Sequence, residues 1–172
     1  MGLWGVEAMK NLRVVVEPHA AESLKQIVRE GLGAYNLAKT GYEEYYPVSI
    51  FLRDANDEVL GGVLGEIWAQ WLFVSHLWLA APLRRHGYGR KLLLAAESYA
   101  VEKGCQGAYL TTSSFQARPF YEKLGYEVFA ELDDFPPGHK HYFLKKRLAV
   151  GSKTQDQRRQ IQRKTGQKGG QQ

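Results

Sequence analysis

The sequence predicts an α/β fold, and three observations carry that prediction. Runs of β-branched and aromatic residues of strand length alternate with stretches whose apolar residues recur at helical spacing. Asp54-Ala55-Asn56-Asp57 is turn chemistry between two such runs, which makes them a hairpin. The stretch Ser75 to Leu94, SHLWLAAPLRRHGYGRKLLL, passes from a strand through a glycine-bearing loop straight into a helix. That stretch is where a ligand is expected. Loop amides and a helix N-terminus present unpaired N–H groups and a partial positive charge, which suit a diphosphate. Glycines let backbone approach closely, and basic side chains add charge-assisted bonds. Taken alone, so short a glycine motif fits a plain cationic helix start equally well.

Each element follows from local chemistry. Asn11 to Glu17 is β-branched and ends at Pro18, a first strand. His19 to Leu32 puts Leu24, Ile27, Val28 and Leu32 on one helical face, with Gly31 and Gly33 marking its end. Ala34 to Tyr46 is ambiguous, a short second helix giving way to an aromatic-rich loop, Tyr42-Glu43-Glu44-Tyr45-Tyr46-Pro47. Val48 to Arg53 and Val59 to Gln70 form the hairpin, and Gly61, Gly62 and Gly65 in its second arm predict a bulge or a close backbone approach. Trp71 to Leu79 is the strand that feeds the glycine loop. Leu92, Leu93, Ala96 and Ala100 trace the buried face of the following helix, which ends near Lys103-Gly104. Ala108 to Thr112 is a strand, Ala117 to Leu124 a short helix stopped by Gly125, and Tyr126 to Leu132 a strand. The connection Asp133 to Lys140 leads to a last strand, His141 to Leu148.

Composition bounds the function classes. The 172 residues suit one domain, expected over 1–150, with a core of ordinary size. No apolar run approaches the roughly 18–20 residues that span a bilayer, and the opening MGLWGVEAMK does not read as a signal peptide. Cys105 is the only cysteine, so no internal disulfide forms; a cytoplasmic location is expected, with an inert buried thiol. The net charge of +5 lies in residues 151–172, which hold six basic side chains and one acidic one. The preceding 150 residues are balanced, 17 against 17. Residues 151–172 are Gln-, Lys- and Arg-rich with Ile161 alone apolar, so a disordered tail is expected, and nucleic acid only through it.

The element order, strand, helices, hairpin, strand, glycine loop and helix, strand, helix, hairpin, resembles that of the GCN5-related N-acetyltransferases. The loop is similar to that family's acetyl-coenzyme A signature, [Q/R]-x-x-G-x-[G/A], with Arg84, Gly87 and Gly89 on the fixed positions and Leu79 on the hydrophobic position five residues earlier. Ser114 to Tyr126 resembles the downstream N-x-x-A-x-x-x-Y-x-x-x-G-[F/Y], with Ala117, Tyr121, Gly125 and Tyr126 in register. Ser114 stands where asparagine is usual; a hydroxyl can still reach a pantetheine amide or carbonyl. The resemblance covers about residues 10–148. It implies a mixed, largely antiparallel sheet of six to seven strands, flanked by helices and splayed at the cofactor strand. It also implies transfer of an acetyl group from acetyl-CoA directly to an amine. Two rival readings are a non-catalytic CoA-binding module and a tail-mediated nucleic-acid binder.

The resemblance assigns roles as well. Leu77, Trp78 and Leu79 would offer backbone to the pantetheine arm as a partial extra strand. Amides of Arg84, Arg85, His86, Gly87, Tyr88 and Gly89 and the helix start at Arg90 would hold the pyrophosphate; the side chains of Arg85, His86 and Arg90 point at phosphates or into solvent, and the Ser114 hydroxyl would reach the pantetheine. Tyr121 is the candidate general acid for the departing thiolate. For a base, the positions nine and eleven before Arg84 are Ser75 and Phe73, and neither is a credible one. Glu66 on the neighbouring strand, His76 and His139 are the remaining candidates. His76 alternates to the strand face opposite Leu77 and Leu79 unless a bulge shifts the register. Residues between Gly31 and Pro47 would wall the acceptor; Tyr35, Tyr42, Tyr45 and Tyr46 with Glu43 and Glu44 suit a small cationic amine or form a solvated loop. A metabolite, an aminoglycoside-type drug and a protein amine all remain open, and a homodimer is possible.

Overall fold

The computed structural model describes residues 12–148; the predicted tail lies outside the described residues. The chain divides at Gly41 into two compact units. The first contains one helix, α1, Glu22–Thr40. It runs unbroken through Gly31 and Gly33, the predicted end of the first helix, and so replaces the two predicted helices. A helical glycine lowers stability by about 1 kcal/mol without stopping a helix. What stops α1 is Gly41, in the left-handed conformation at φ 69°, whose amide bonds the Leu37 carbonyl. Leu24, Ile27, Val28 and Leu32 share a face as predicted, and all four are exposed. Residues 12–17 are not a strand. β-propensity is realised only against a partner edge, and no described segment pairs with this run.

The second unit is a six-stranded sheet with two helices. In chain order it runs β1 (Tyr45–Arg53), β2 (Val59–Trp68), β3 (Trp71–Leu79), α2 (Tyr88–Glu102), β4 (Gly107–Ser113), α3 (Arg118–Glu122), β5 (Glu127–Asp133) and β6 (Lys140–Arg147). The strand order is β1-β2-β3-β4-β6-β5. Every neighbouring pair is antiparallel except β3–β4, so the sheet is mixed and largely antiparallel, as expected. β2 and β3 join through a two-residue turn, Ala69-Gln70, with both residues at positive φ. Neither is the Asn or Gly such turns prefer, which is why the sequence concealed this hairpin.

α2 packs across β1, β2 and β3, burying Leu92, Leu93, Ala96 and Ala100 against Val63, Leu72, Val74 and Leu110. Cys105 is buried in that core, as predicted. None of the helices among the described residues is long and apolar enough to cross a membrane. One charged pair is largely buried: Glu97 of α2 is 6% exposed and bonds Lys146 Nζ of β6 at 2.6 Å through Oε2, while its Oε1 has no hydrogen-bond partner among the described residues. Lys146→Met would leave a buried carboxylate uncompensated. A stability loss of about 3–5 kcal/mol is expected from urea unfolding, most of it restored by adding Glu97→Gln. A loss below about 1 kcal/mol would mean that water already solvates Glu97.

Candidate active site

The site begins where two parallel strands part. β3 and β4 pair over only four rungs, Trp71–Gly107 to Val74–Leu110. Beyond Leu110, β4 stays bonded to β6 as far as Ser113, while β3 stays bonded to β2 as far as Leu79. The edge of β3 facing β4 is therefore open from Ser75 to Leu79, a row of backbone donors and acceptors beside a gap.

A bulge sets which side chains border that gap. In the β2–β3 ladder Val74 pairs with Gly65 and His76 with Leu64, so Ser75 is the extra residue. Gly65 is required here, because a Cβ on it would collide with the Phe73 carbonyl. Ser75 Oγ donates to the Leu64 carbonyl at 3.1 Å and meets His76 Nδ1 at 3.0 Å. Having spent its one proton, the hydroxyl accepts from His76, which assigns the imidazole N–H to Nδ1 and leaves Nε2 as an acceptor. Leu77 and Leu79 turn back onto the core. His76 lies on the other face, as alternation predicted. The bulge keeps it on the same face as Phe73, three residues earlier, and Glu66 lies there too through its pairing with Phe73.

Past β3 the chain makes a 3-10 turn, Ala81–Leu83, and enters the loop before α2. Arg84 does not reach outward: its Nε donates to the Leu79 carbonyl at 3.1 Å and ties loop to strand. His86 Nδ1 bonds the Arg84 carbonyl at 2.8 Å. Arg85 stands at φ 66° and Gly87 at φ 82°, two left-handed turns that aim the loop at the start of α2. Amides of Tyr88, Gly89 and Arg90 form the first helical turn, where no preceding carbonyl can take them. Arg85 and Arg90 are exposed and make no ion pair among the described residues, and no carboxylate sits in the helix's first turn. A Cβ on Gly87 would meet nothing within 4 Å, so the backbone is open to a ligand there. These features fit a diphosphate.

Tyr121 on α3 is 7% exposed, with its ring edge-on to Phe120 and Tyr126. Its hydroxyl has no hydrogen-bond partner among the described residues, and burial raises its pKa above that of an ordinary phenol. Such a group stays protonated at neutral pH. The Ser114 hydroxyl lies 3.2 Å from His139 Nδ1 and accepts the Lys140 amide, so it ties the end of β4 to the β5–β6 connection. Gln116, not singled out from sequence, closes the same corner by accepting from the Ser113 amide at 2.8 Å.

The residues of the predicted acceptor wall have different surroundings. Tyr35 belongs to α1 in the first unit. Tyr46 packs on the core, and Tyr42 accepts from Gln70 at 2.9 Å. Tyr45 alone meets a predicted site residue, donating its hydroxyl to Glu66 Oε2 at 2.8 Å. Sequence reasoning missed the rings that surround Glu66: Trp71 and Phe73 of β3 and Tyr109 of β4, which with Trp68 and Ala69 line a cavity of about 240 Å³. Recognising Trp68-Ala69-Gln70-Trp71 as a two-residue hairpin would have found them.

Comparisons with known proteins bear on what this geometry serves. Residues 19–126 match the acetyltransferase (GNAT) family. An acetyltransferase of Agrobacterium fabrum is 32% identical over 137 residues, 80% of this chain and 100% of that protein. The blasticidin-S acetyltransferase of Streptomyces morookaense is 37% identical over 116 residues, 65% of this chain and 85% of that protein. A crystal structure of an acetyltransferase from Bacillus cereus superposes with a TM-score of 0.70 at 30% identity, covering 78% of this chain and 98% of that one.

Proposed function

Since the chain belongs to the acetyltransferase (GNAT) family and is an acetyl-CoA-dependent N-acetyltransferase, we propose that the gap between β3 and β4 is where the acyl chain is held and transferred. The parting of β3 from β4 after Val74–Leu110 carries this reading. Acetyl-CoA supplies an activated acyl group as a thioester; the protein must hold it, take a proton from the amine and return one to the sulfur. The open edge at Leu77, Trp78 and Leu79 holds the pantetheine arm by backbone bonds. The loop from Arg84 to Arg90 holds the diphosphate, with Arg84 and His86 bracing the loop and Arg85 and Arg90 supplying charge.

Acid and base then approach from opposite faces of the sheet. Tyr121 lies on the face covered by α2 and α3 and offers a proton to the leaving sulfur. His76 lies on the other face and accepts the amine's proton at Nε2, while Ser75 fixes its tautomer. An amine bound on that outer face attacks the thioester across the gap, so the transfer is direct.

The test is release of free CoA thiol from acetyl-CoA with a panel of amines. Release should depend on the amine, and His76→Gln should lower kcat by about 10²-fold with acetyl-CoA affinity unchanged. If acetyl-CoA binds but no amine raises thiol release above hydrolysis, the transfer reading fails. If His76→Gln turns over like wild type, another group is the base.

A further inference from the structure

We propose that the cavity around Glu66 is a subsite for a second cationic group on the acceptor, so that the substrate is an amine bearing an ammonium or guanidinium group apart from the nitrogen acetylated. This rests on the outer sheet face being the acceptor side. The ladder registers build the cavity. Glu66 stands opposite Phe73, Trp68 opposite Trp71, and Phe73 opposite Tyr109 across the parallel pair. Phe73 and Tyr109 stack with centroids 4.8 Å apart, and Trp71 meets Tyr109 edge-on at 6.4 Å. Four aromatic rings thus surround one carboxylate in a space of about 240 Å³.

Glu66 has no ion pair among the described residues; it is held only by the Tyr45 hydroxyl. Its charge is felt locally. The Tyr45 phenol is pushed up by its bond to Glu66, and the Tyr109 phenol by burial and by Glu66's charge. Aromatic rings and an unpaired carboxylate lining one space favour a cation over an anion, and the carboxylate favours it over an apolar group of the same size. Arg147 lies over the Trp71 ring at 5.2 Å from the adjoining groove, so one face of that ring is already taken. Phe73 and Tyr109 likewise spend one face each on their mutual stack, which leaves Glu66, Trp68 and the uncovered parts of these rings to a ligand.

Position supplies the spacing. Phe73 and Tyr109 lie one rung before the last β3–β4 pair, and Trp68 and Trp71 two residues further. At about 3.3 Å per residue, the cavity lies roughly 7–13 Å along β3 from the bulge at Ser75. A cation held there therefore presents a reactive amine at the gap through a linker of several bonds.

The experiment compares α,ω-diaminoalkanes of three to eight carbons, and agmatine, with n-alkylamines of equal length. Acetyl transfer is followed by thiol release, and binding without acetyl-CoA by quenching of tryptophan fluorescence. The wild type should prefer the matched dication by about 10–10²-fold in kcat/KM, with an optimum length. Glu66→Gln and, separately, Trp68→Leu should cut that preference at least tenfold while acetyl-CoA affinity holds. If Glu66 were instead a base, both substrate classes would slow together and the ratio would stand. Equal use of dications and alkylamines by wild type, or a ratio unchanged in Glu66→Gln, overturns the subsite and leaves the transferase reading intact. Dications that quench fluorescence through Glu66 and yet are never acetylated would instead support the subsite and defeat the placement of the acceptor.

Discussion

Gly87→Val should nearly abolish acetyl-CoA binding while leaving the protein folded. Gly87 sits at φ 82° immediately before α2, a conformation that a β-branched residue adopts only under strain. Its Cβ direction is empty of protein, so the new side chain would stand in the space that the loop amides border. Both effects fall on one turn of exposed backbone, and the core below is untouched. Gly89 is a different case. A Cβ there would lie 3.4 Å from Phe120 Cζ and 3.5 Å from Leu79 Cδ1, which is ordinary contact. Gly89→Ala should therefore bind within about threefold of wild type, whereas the branches of Gly89→Val must displace Phe120 or Leu79, or enter the diphosphate space. Losing two charge-assisted bonds to the diphosphate, at about 1.5–3 kcal/mol each, weakens binding by at least 10²-fold. Calorimetry on the three variants, with melting temperatures alongside, checks this. A folded Gly87→Val protein with wild-type affinity would show that the diphosphate lies elsewhere.

That loop was legible in sequence because its chemistry is local: glycines, basic residues and a helix start within six positions. The strands from Val48 onward were legible for a similar reason, since their alternating pattern matches a sheet with one buried face. What the sequence concealed is non-local. Residues 12–17 have the composition of a strand but no partner edge among the described residues, and no reading of six residues reveals that. Gly31 and Gly33 look like stop signals, yet only Gly41 takes the left-handed turn that stops α1.

The candidate site divides along the same line. Glu66 and His76 were readable as proton acceptors, and alternation placed His76 on the outer face. That Glu66 shares this face, among Phe73, Trp71 and Tyr109, depends on a bulge at Ser75 and on a turn, Ala69-Gln70, built from residues that do not advertise one. Arg84 was legible as a fixed position of the loop, but the use of its side chain was not: its guanidinium bonds the Leu79 carbonyl. A fixed arginine in a motif can serve the shape of the loop as well as the ligand.

Tyr121→Phe should cut kcat by about 10²–10⁴-fold and leave acetyl-CoA affinity and stability nearly unchanged. The phenyl ring keeps its edge contacts with Phe120 and Tyr126, and the hydroxyl bonds no described residue, so removing it costs the fold little. What would be lost is the proton that Tyr121, as the proposed acid, gives to the leaving sulfur. Burial raises the phenol's pKa, which fixes the sign of the pH effect. The acid form persists through neutral pH, and loss of activity by its ionisation sets in only above the ordinary phenol value of about 10. A thiol titrates near about 8.5, so above that pH the thiolate departs without needing a proton. The ratio of wild-type to Tyr121→Phe rates should therefore be greatest near neutrality and shrink as pH rises past that value, with saturating amine and chemistry rate-limiting. A constant ratio across the range would give Tyr121 an orienting role instead of an acid one. A variant within about threefold of wild type at pH 7 would reduce it to packing and pass protonation to solvent, without touching the assignment of the loop.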